Sequence, residues 1–510
     1  MNNKSAKSSV QNCHSELVSE SHTVNKMLKQ SALDGQHDTQ GVILYNIFIL
    51  TLLFSISAFA QYGSVGVKDA RSVGLGKTHN AVSSGIFSIG INPANLSFNT
   101  LNTFEIATLL PLPTVSIRTG SDFISFNEFN YYFGGVNGEP RFLTEEDKKK
   151  LNTLFDNGGM IFALANAELF SFSFNPGKEI GVFAFSLYDF ASMRVNIPNA
   201  LIDIALSGNP IGRTFNLDEG DIKGWWIRNY ALSYSKEIPE VKILDNFFAG
   251  ITLKLVHGYS YVGTHKNNTH FTTGTSAEIT GQTDLTGYSS FADNFGVKYE
   301  FDSVSRKSDF SLFPSPAGKG FGFDVGFAAS LDNKWRFAFA VTDIGKIKWT
   351  KNVAEFTSFG SVYLNDLTNR EQRDSVKEIV MGDSRKVDHV NTSLATALRV
   401  GASYLFGGEL RSWPGSLLLA FDYNQGFNDM PGNSIEPRFS IGTEWKPMDW
   451  FPYLRTGFSY GGGLGFNWAF GLGIDAGILD LHFATTDMQS VFAPNSSKAI
   501  SVSLSSRWKF

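Results

Sequence analysis

The stretch most suggestive of chemistry is Gly74-Leu75-Gly76-Lys77-Thr78, which has the form of the end of a phosphate-binding loop. Such a loop cradles phosphates with backbone N–H groups, and it requires another glycine five residues before Gly76 and a buried strand ahead of it. The chain has Arg71 at that position and no strand pattern before it. We therefore predict no nucleotide site here.

Two further glycine pairs, Gly320-Phe321-Gly322 and Gly471-Leu472-Gly473, lack the third glycine and the following helix of a dinucleotide site. Glycines inside strands more often let a sheet bend or let another segment approach closely. Lys319, Asp324 and Asp343 are charged residues in or beside the mainly apolar hairpin 320–349. In a barrel they should face the lumen or an interface, as salt bridges between strands, which we favour, or as contacts to a ligand or plug.

Other catalytic patterns are absent from the sequence. The six histidines after residue 60 show no metal-ligand spacing, and no Gly-x-Ser-x-Gly motif occurs. The one cysteine, Cys13, lies ahead of the apolar run described below, so no disulfide, thiol nucleophile or lipidated cysteine is expected. We predict no enzyme, no metal and no cofactor. A Ser–His pair on a barrel wall, as in a lipid hydrolase, is the alternative.

A Gly- and Ser-rich stretch without a strand or helix period runs from Gly63 to Leu96. Its small-residue run, Ala70-Arg71-Ser72-Val73-Gly74-Leu75-Gly76, is followed about fifteen residues later by Asn92-Pro93-Ala94-Asn95-Leu96. Pro93 fixes its own φ and biases the residue before it away from helix, so the chain should turn there. Glycine permits close packing against a wall. A surface linker ahead of a domain is the alternative interpretation.

This pattern resembles the amino-terminal plug of the FadL-type outer-membrane proteins, barrels that take up long-chain fatty acids and other hydrophobic compounds. Asn95 departs from the pattern, because those transporters usually have glycine there. The resemblance implies that residues 61–100 form a plug or hatch. It also implies gating roles for Ser72, Gly74, Gly76, Asn92, Pro93, Ala94, Asn95 and Leu96.

From Thr103 onward the chain alternates apolar and polar residues, which is the period of a half-buried strand. The first strand should run from Phe104 to Ile117 with a bend at Pro111 and Pro113. A helix should begin after Thr144 and end at Gly158, and another should lie near 366–380. Further strands are predicted at 167–175, 179–188, 224–236, 247–260, 322–331, 335–345, 393–406, 416–424, 435–446, 453–461, 466–475, 479–485 and 498–510.

Connections between these strands alternate between short and long when counted back from Phe510. Short turns on one side and long loops on the other are typical of single-chain outer-membrane barrels, and both termini on one side require an even number of strands. The sequence therefore predicts an all-β fold, an antiparallel transmembrane β-barrel over residues 101–510. We expect fourteen strands, or sixteen if residues 268–299 add a hairpin, with helices in the long loops.

The last eleven residues, Ile500 to Phe510, alternate apolar and polar side chains and end on an aromatic residue. They resemble the closing strand of outer-membrane barrels, which implies that Trp508 and Phe510 act as the signal for the barrel-assembly machinery. Tryptophans near other strand ends are typical of membrane interfaces. An ordinary strand of a soluble sandwich is the alternative.

One continuous apolar run extends from Val42 to Ala60 and ends in Ala58-Phe59-Ala60, the small-x-small pattern that signal peptidase cleaves. We predict that residues 1–60 are a leader and signal peptide that is removed, and that the protein reaches the outer membrane. The stretch before the run is long for a leader, so Met27 is an alternative start, and a signal anchor holding a soluble domain is the rival interpretation.

These features predict passive uptake of a hydrophobic or amphipathic small molecule through the barrel. The expected partners are outer-membrane lipid and a hydrophobic ligand, and the near balance of 43 basic and 48 acidic residues gives no reason to expect a nucleic acid. The alternative is a barrel without cargo that serves a secretion or surface-assembly machine, and hence other envelope proteins, through long loops such as Lys346 to Thr392.

Overall fold

The computed structural model describes residues 69–98, 102–136, 139, 141–239, 241, 243–295, 311, 313–366, 368–407, 414–463 and 465–510. The predicted leader and signal peptide, residues 1–60, lie outside this part of the chain, as does the start of the predicted plug. The described residues form a closed antiparallel β-barrel with helices confined to the connections and to the segment that precedes the barrel.

The strands are β1 (Phe104–Ala107), β2 (Thr114–Ser121), β3 (Gly159–Phe174), β4 (Val182–Ile197), β5 (Thr214–Asn216), β6 (Asp221–Glu237), β7 (Asn246–Asn267), β8 (His270–Thr273), β9 (Ile279–Phe291), β10 (Gly318–Leu331), β11 (Trp335–Trp349), β12 (Ala354–Leu364), β13 (Asp383–Lys386), β14 (Val390–Ser393), β15 (Ala397–Gly407), β16 (Ser416–Gly426), β17 (Arg438–Lys446), β18 (Tyr453–Gly461), β19 (Asn467–Asp475), β20 (Leu479–Thr485) and β21 (Ala499–Lys509). The α-helices are α1 (Ala70–Gly74), α2 (Phe126–Phe133), α3 (Glu145–Leu154), α4 (Asn199–Ser207), α5 (Arg370–Met381) and α6 (Gln489–Phe492).

The barrel has fourteen strands, as the sequence predicted. β1 and β2 together form the first barrel strand and β14 and β15 together the eighth, because each pair lies along the same neighbours. The remaining twelve are β3, β4, β6, β7, β10, β11, β16, β17, β18, β19, β20 and β21. The barrel closes where β21 pairs with both β1 and β2.

The connections at the end of the barrel where the chain terminates run for three to eight residues, whereas six of the seven at the other end run for eleven or more and one, 462–466, runs for five. The turn between β10 and β11, one of two three-residue turns at the first end, has positive φ angles of 54° at Asp332 and 52° at Asn333. Aspartate and asparagine tolerate this conformation better than other non-glycine residues, and it matches the twist of a two-stranded ribbon. We call the two ends the turn side and the loop side.

The predicted sixteen-strand alternative is wrong, because β8 and β9 lie outside the barrel. The loop-side half of β7 leaves the wall and pairs with β9, which pairs in turn with β12. β12 also pairs with β13, and β8 joins β5 to β9. The alternating pattern that follows residue 268 therefore marks β8 and β9, two strands of a small outer sheet above the barrel.

Some strands extend further toward the loop side than the sequence predicted. The connection expected from 189 to 223 is wrong, because β4 and β6 stay paired as far as Asn196 and Asp221. The helix predicted after Thr144 begins there, with a capping box between Thr144 and Asp147, but ends at Leu154 rather than at Gly158. Helix α2 was missed although Ser125 and Glu128 form the same capping signature.

The outer surface of the barrel is a belt of exposed large apolar side chains, which includes Phe323, Phe337, Val400, Phe421, Phe439 and Phe458. The alternate residues of the same strands point into the barrel and are polar or charged, for example Arg399, Asp422, Arg438 and Glu444. This is the reverse of a soluble protein, and it is the distribution expected when lipid covers the outside. Among the described helices, none is long and apolar enough to cross a membrane.

Two phenylalanines test where this belt ends. Phe421 is 47% exposed at the middle of β16, and Phe427 is 60% exposed just beyond that strand, in a loop-side connection. We expect Phe421→Arg to lower the free energy of unfolding in lipid vesicles by about 2–4 kcal/mol, and Phe427→Arg by only about 0–1 kcal/mol, because the cost of a guanidinium peaks at the bilayer midplane. Urea titration of the vesicle-refolded proteins measures both, and equal effects would contradict the placement.

Candidate functional site

Residues 69–98, which we call the inner segment, lie inside the barrel. Their side chains and backbone contact strands all around the closed wall, and nearly all of these residues are buried. The segment consists of α1, two 3-10 helices (Gly85–Ser88 and Pro93–Phe98) and turns, and none of its residues pairs in the sheet. The stretch predicted as a plug therefore occupies the lumen without being part of the wall.

Backbone-to-backbone packing against wall glycines holds the first part of the inner segment. A Cβ atom added to Gly471 would lie 3.0 Å from Gly74 Cα, and one added to Gly457 would lie 2.2 Å from the carbonyl carbon of Leu75. Gly76 has a φ of 69°, and a Cβ there would meet the Phe458 nitrogen at 2.7 Å. Only glycine fits these contacts, because it has no side chain. The backbone of the predicted residues Gly74 and Gly76 therefore packs directly against the wall.

The second part of the inner segment packs in the same way against two other strands. A Cβ on Gly326 of β10 would lie 2.0 Å from Asn92 Oδ1, and one on Gly250 of β7 would lie 2.4 Å from the Ala94 nitrogen. Pro93 begins a 3-10 helix at this point. Leu96 is 1% exposed and packs in an apolar cluster with Val182 and neighbouring residues of β4 and β6.

Three asparagines tie the two parts of the inner segment to each other and to the wall. Asn92 Nδ2 donates to Asn80 Oδ1 at 3.2 Å and to the Phe327 carbonyl at 3.1 Å. Asn80 Nδ2 donates to the Ala338 carbonyl at 2.9 Å. Asn95, where the FadL-type pattern has glycine, donates to the Asn80 carbonyl at 2.5 Å. The departure at Asn95 thus adds a hydrogen bond that a glycine could not make.

Three wall carboxylates bind the inner segment, and one of them, Glu105 of β1, accepts the backbone N–H of Ile86 at 2.9 Å. Glu444 of β17 accepts two hydrogen bonds from Arg71, each 2.8 Å long, and also pairs with Arg455. Asp422 Oδ2 accepts the backbone N–H groups of His79 at 2.6 Å and Asn80 at 2.7 Å. These contacts were missed by sequence reasoning, although the inward charges of β17 do follow a period of two.

His79 lies in the lumen beside Arg399. Its ring is buried, and this burial, followed by the positive charges of Arg399 and Arg438, holds the pKa of His79 well below its ordinary value. Its Nε2 atom lies 3.0 Å from Nη1 of Arg399, the geometry of a neutral ring nitrogen that accepts a hydrogen bond. Among the described residues, no group of histidines, cysteines and carboxylates could hold a metal ion.

Cavities lie on both sides of the inner segment. One of about 500 Å³ opens on the loop side and is lined by aromatic rings, including Phe162, Phe466 and Phe492, and by Arg118 and Asp487. The other, of about 380 Å³, opens on the turn side and is lined mainly by charged residues, including Arg71, Arg336, Glu444 and Arg507. The barrel thus has an aromatic cavity at its loop-side end and a charged cavity, which the inner segment helps to line, at its turn-side end.

The first barrel strand is interrupted between β1 and β2. Ala107 and Thr114 are seven residues apart, but their partners in β3, Ser171 and Glu168, are only three apart. The extra residues leave the wall, and Leu110 is 74% exposed. The predicted bend at the prolines is therefore a bulge of the chain on the outside of the barrel.

The other predicted residues lie in the wall. Asp324 and Asp343 each form a 2.7 Å ion pair with Lys254 in the lumen, which is the salt-bridge arrangement that we favoured, and Lys319 is exposed near the loop side. Trp508 pairs with Ile106 and donates its ring N–H to the Leu110 carbonyl at 3.3 Å. The backbone N–H of Phe510 donates to the Phe104 carbonyl, which completes the closure.

Residues 98–486 match the sequence profile of a family of unknown function, DUF5723. The chain belongs to the DUF5723 family. No curated protein matches it significantly in sequence. The residues that match begin at the end of the inner segment, so the DUF5723 match covers most of the barrel.

Several solved outer-membrane barrels are similar in structure to this DUF5723 protein. They include the Pseudomonas putida toluene transporter TodX (10% identity, TM-score 0.42, covering 89% of this chain and 100% of the other). The Ralstonia pickettii toluene transporter TbuX (13%, 0.41, 89% and 100%) and a Pseudomonas aeruginosa FadL homologue (12%, 0.42, 88% and 100%) are also similar. Because these TM-scores are below 0.5, the functional proposal below rests on the chain's own geometry.

Enlarging a wall glycine should loosen the inner segment. We expect Gly457→Val to expose residues 69–98 to trypsin, which cleaves after Arg71 and Lys77, because the new side chain occupies the space of the Leu75 backbone. Gly407→Val is the matched control, since a Cβ there meets no atom within 4 Å. Mass spectrometry of the digested protein measures the cleavage. Equal protection of the two variants would show that the segment is not held by these glycine contacts.

Replacing Glu444 should lower the free energy of unfolding more than replacing Arg71. Glu444→Gln leaves two arginines facing each other without a counter-charge, so we expect the free energy of unfolding to fall by about 3–5 kcal/mol. Arg71→Gln leaves Glu444 paired with Arg455 and should cost less, about 1.5–3 kcal/mol. Urea unfolding in vesicles measures both, and a larger loss for Arg71→Gln would refute this ordering.

Proposed function

We propose that this DUF5723 protein is an outer-membrane channel that lets a hydrophobic or amphipathic small molecule pass without nucleotide hydrolysis. The observation that carries the proposal is the inner segment, which fills the lumen of a closed barrel yet makes no strand pairing with the wall. Side-chain hydrogen bonds, ion pairs and glycine contacts can be exchanged without breaking the sheet. The segment therefore has the construction of a removable plug.

The positions of the two cavities define the order of steps in the proposed passage. A ligand would enter the aromatic cavity of about 500 Å³ from the loop side, since aromatic side chains line its wall. It would leave as the inner segment shifts, either toward the turn side or at the bulge between β1 and β2. We propose that Ser72, Gly74, Gly76 and residues 92–96 form the gate, because the glycines and asparagines among them make the contacts that must exchange.

The remaining expectations belong to the same proposal. We infer that residues 1–60 are removed on export, that residues 61–100 form the plug and that Trp508 and Phe510 guide insertion by the assembly machinery. The apolar belt supports an outer-membrane location with lipid as the surrounding partner. We infer further that the protein is not an enzyme and uses no cofactor.

A disulfide between the inner segment and the wall tests the gate. Ser97 Oγ and Ser235 Oγ are 2.8 Å apart, and no cysteine occurs after Cys13. We expect the oxidised Ser97→Cys/Ser235→Cys protein to stop accumulation of labelled 4-phenylbutan-1-ol by intact cells of a Gram-negative host, and reduction to restore it. The two single variants are the controls. Unchanged accumulation in the oxidised protein would contradict a moving plug.

A second function, an interaction barrel serving a secretion or surface-assembly machine, is favoured by the outer sheet. Strand β12 presents Phe359 and Tyr363, which are 79% and 53% exposed, on a sheet that stands beyond the wall. Gentle purification separates the two proposals. A channel should retain a small molecule that mass spectrometry identifies, whereas an interaction barrel should be empty and should bring down other envelope proteins. A ligand-free protein with unchanged uptake in a deletion strain would refute the channel.

A further inference from the structure

Three lysines stand side by side on the outer face of the barrel wall. Lys319 of β10 lies directly opposite Lys348 of β11, and Lys346 is two residues from Lys348 on the same strand. All three are exposed, whereas Ile347 and Trp349, which alternate with the lysines of β11, are fully buried inside the barrel. The lysines therefore point outward at the loop-side ends of two neighbouring strands.

Strand register places these lysines at the loop-side border of the apolar belt. The row next to Lys319 on the turn side contains Leu255 of β7 opposite Phe321, and the following row contains Leu253 opposite Phe323. Leu255 and Phe321 are 65% and 60% exposed. Outward-pointing ammonium groups thus lie directly beside an outward-pointing apolar surface. A membrane lipid has the complementary order, a headgroup above acyl chains.

The lysines have no counter-charge among the described residues with which they form an ion pair. Like charges directly opposite each other on neighbouring strands are destabilising. The carboxylate in the same row, Asp189 of β4, is paired with Arg228 of β6 at 2.6 Å. His257 of β7 lies between that ion pair and Lys319. An anion from outside the described chain would therefore relieve the repulsion.

This basic patch is confined to one part of the barrel. In the described chain, β16 to β20 carry no outward-facing lysine or arginine at their loop-side ends, where residues such as Gln425 of β16 and Tyr460 of β18 are uncharged. A general preference of basic side chains for the membrane interface would distribute them around the whole wall. The concentration on β10 and β11 indicates a specific ligand instead.

We propose that Lys319, Lys346 and Lys348 bind the anionic phosphate headgroup of a membrane lipid in the loop-side leaflet, with the acyl chains on the apolar belt beside them. A phosphate accepts charge-assisted hydrogen bonds from several ammonium groups at once. Asn391 and Ser393 of β14, the exposed neighbours of Lys348 and Lys346, add polar side chains to the site. The site lies outside the lumen, so it is independent of the channel proposal.

Lipid retention, measured by native mass spectrometry, tests the site. We expect the protein purified in a neutral detergent to retain dioleoyl phosphatidylglycerol about tenfold more than dioleoyl phosphatidylcholine, which has the same acyl chains and no net charge. Lys319→Gln/Lys348→Gln should remove most of this preference. Lys236→Gln is the matched control, because Lys236 is exposed at the turn-side end of β6 and lies opposite Ala249.

Two results of this experiment would overturn the assignment. One is equal retention of the two lipids by the wild-type protein. The other is an equal loss of preference in the double variant and in the Lys236→Gln control, because the charge of any outward lysine would then suffice.

A soluble headgroup distinguishes a lipid site from a site for free phosphate. We expect glycerol 3-phosphate, which has no acyl chains, to leave bound phosphatidylglycerol in place at equal concentration, because contact with the apolar belt contributes to lipid binding. Displacement of the lipid would contradict the lipid assignment.

Thermal melting supplies a readout that a merely repulsive patch would not reproduce. We expect Lys348→Gln to melt at a higher temperature than the wild type in neutral detergent, because a directly opposed like-charge pair is removed. Added phosphatidylglycerol should then raise the melting temperature of the wild type more than that of the variant. An equal rise in both proteins would refute the site.

Discussion

Closure of the hydrogen-bonded ladder is the constraint on which the rest of this structure depends. Once β21 has paired with β1 and β2, no free edge remains in the barrel wall, and every inward side chain must share a lumen of fixed width with the inner segment. The wall meets this constraint with glycine where backbone approaches backbone, as at Gly457 and Gly471. Elsewhere the wall fills the lumen with charged groups that pair with one another across it.

Charge inside the barrel follows from the same constraint. A side chain that cannot face lipid must point inward, and inward positions far from water require a partner. Lys254 with Asp324 and Asp343 satisfies this rule, as does Glu444 between two arginines. Arg438 departs from this rule, because its guanidinium has no hydrogen-bond partner among the described residues.

Much of the wall was predictable from the sequence because a half-buried strand has a period of two. Strand β20 was predicted from 479 to 485 and occupies those residues, and the strands predicted at 322–331 and 335–345 are joined, as expected, by a short turn at residues 332–334. The outer sheet was not predicted, because strands above the barrel have the same period as strands in its wall. The lengths of the connections, rather than any single strand, indicated an even number of strands, and the count of predicted strands was fourteen.

The inner segment was predictable as a plug only through its resemblance to a family, and its contacts with the wall could not be predicted. Arg71 and Glu444 are 373 residues apart in the chain, and no local pattern joins them. The wall glycines were noted as positions of close approach, but nothing in the sequence says which residue approaches. Asn95, noted only as a departure from the family pattern, proves to carry a hydrogen bond to Asn80.

The position of the inner segment at the front of the chain has a consequence for biogenesis. Ala70 donates its backbone N–H to Ser505 of the closing strand, so the first and nearly the last of the described residues are neighbours. These contacts cannot all exist until the last strand is in place. Sealing of the wall and filling of the pore are therefore coupled, and a barrel that closed without its inner segment in place would be an open pore.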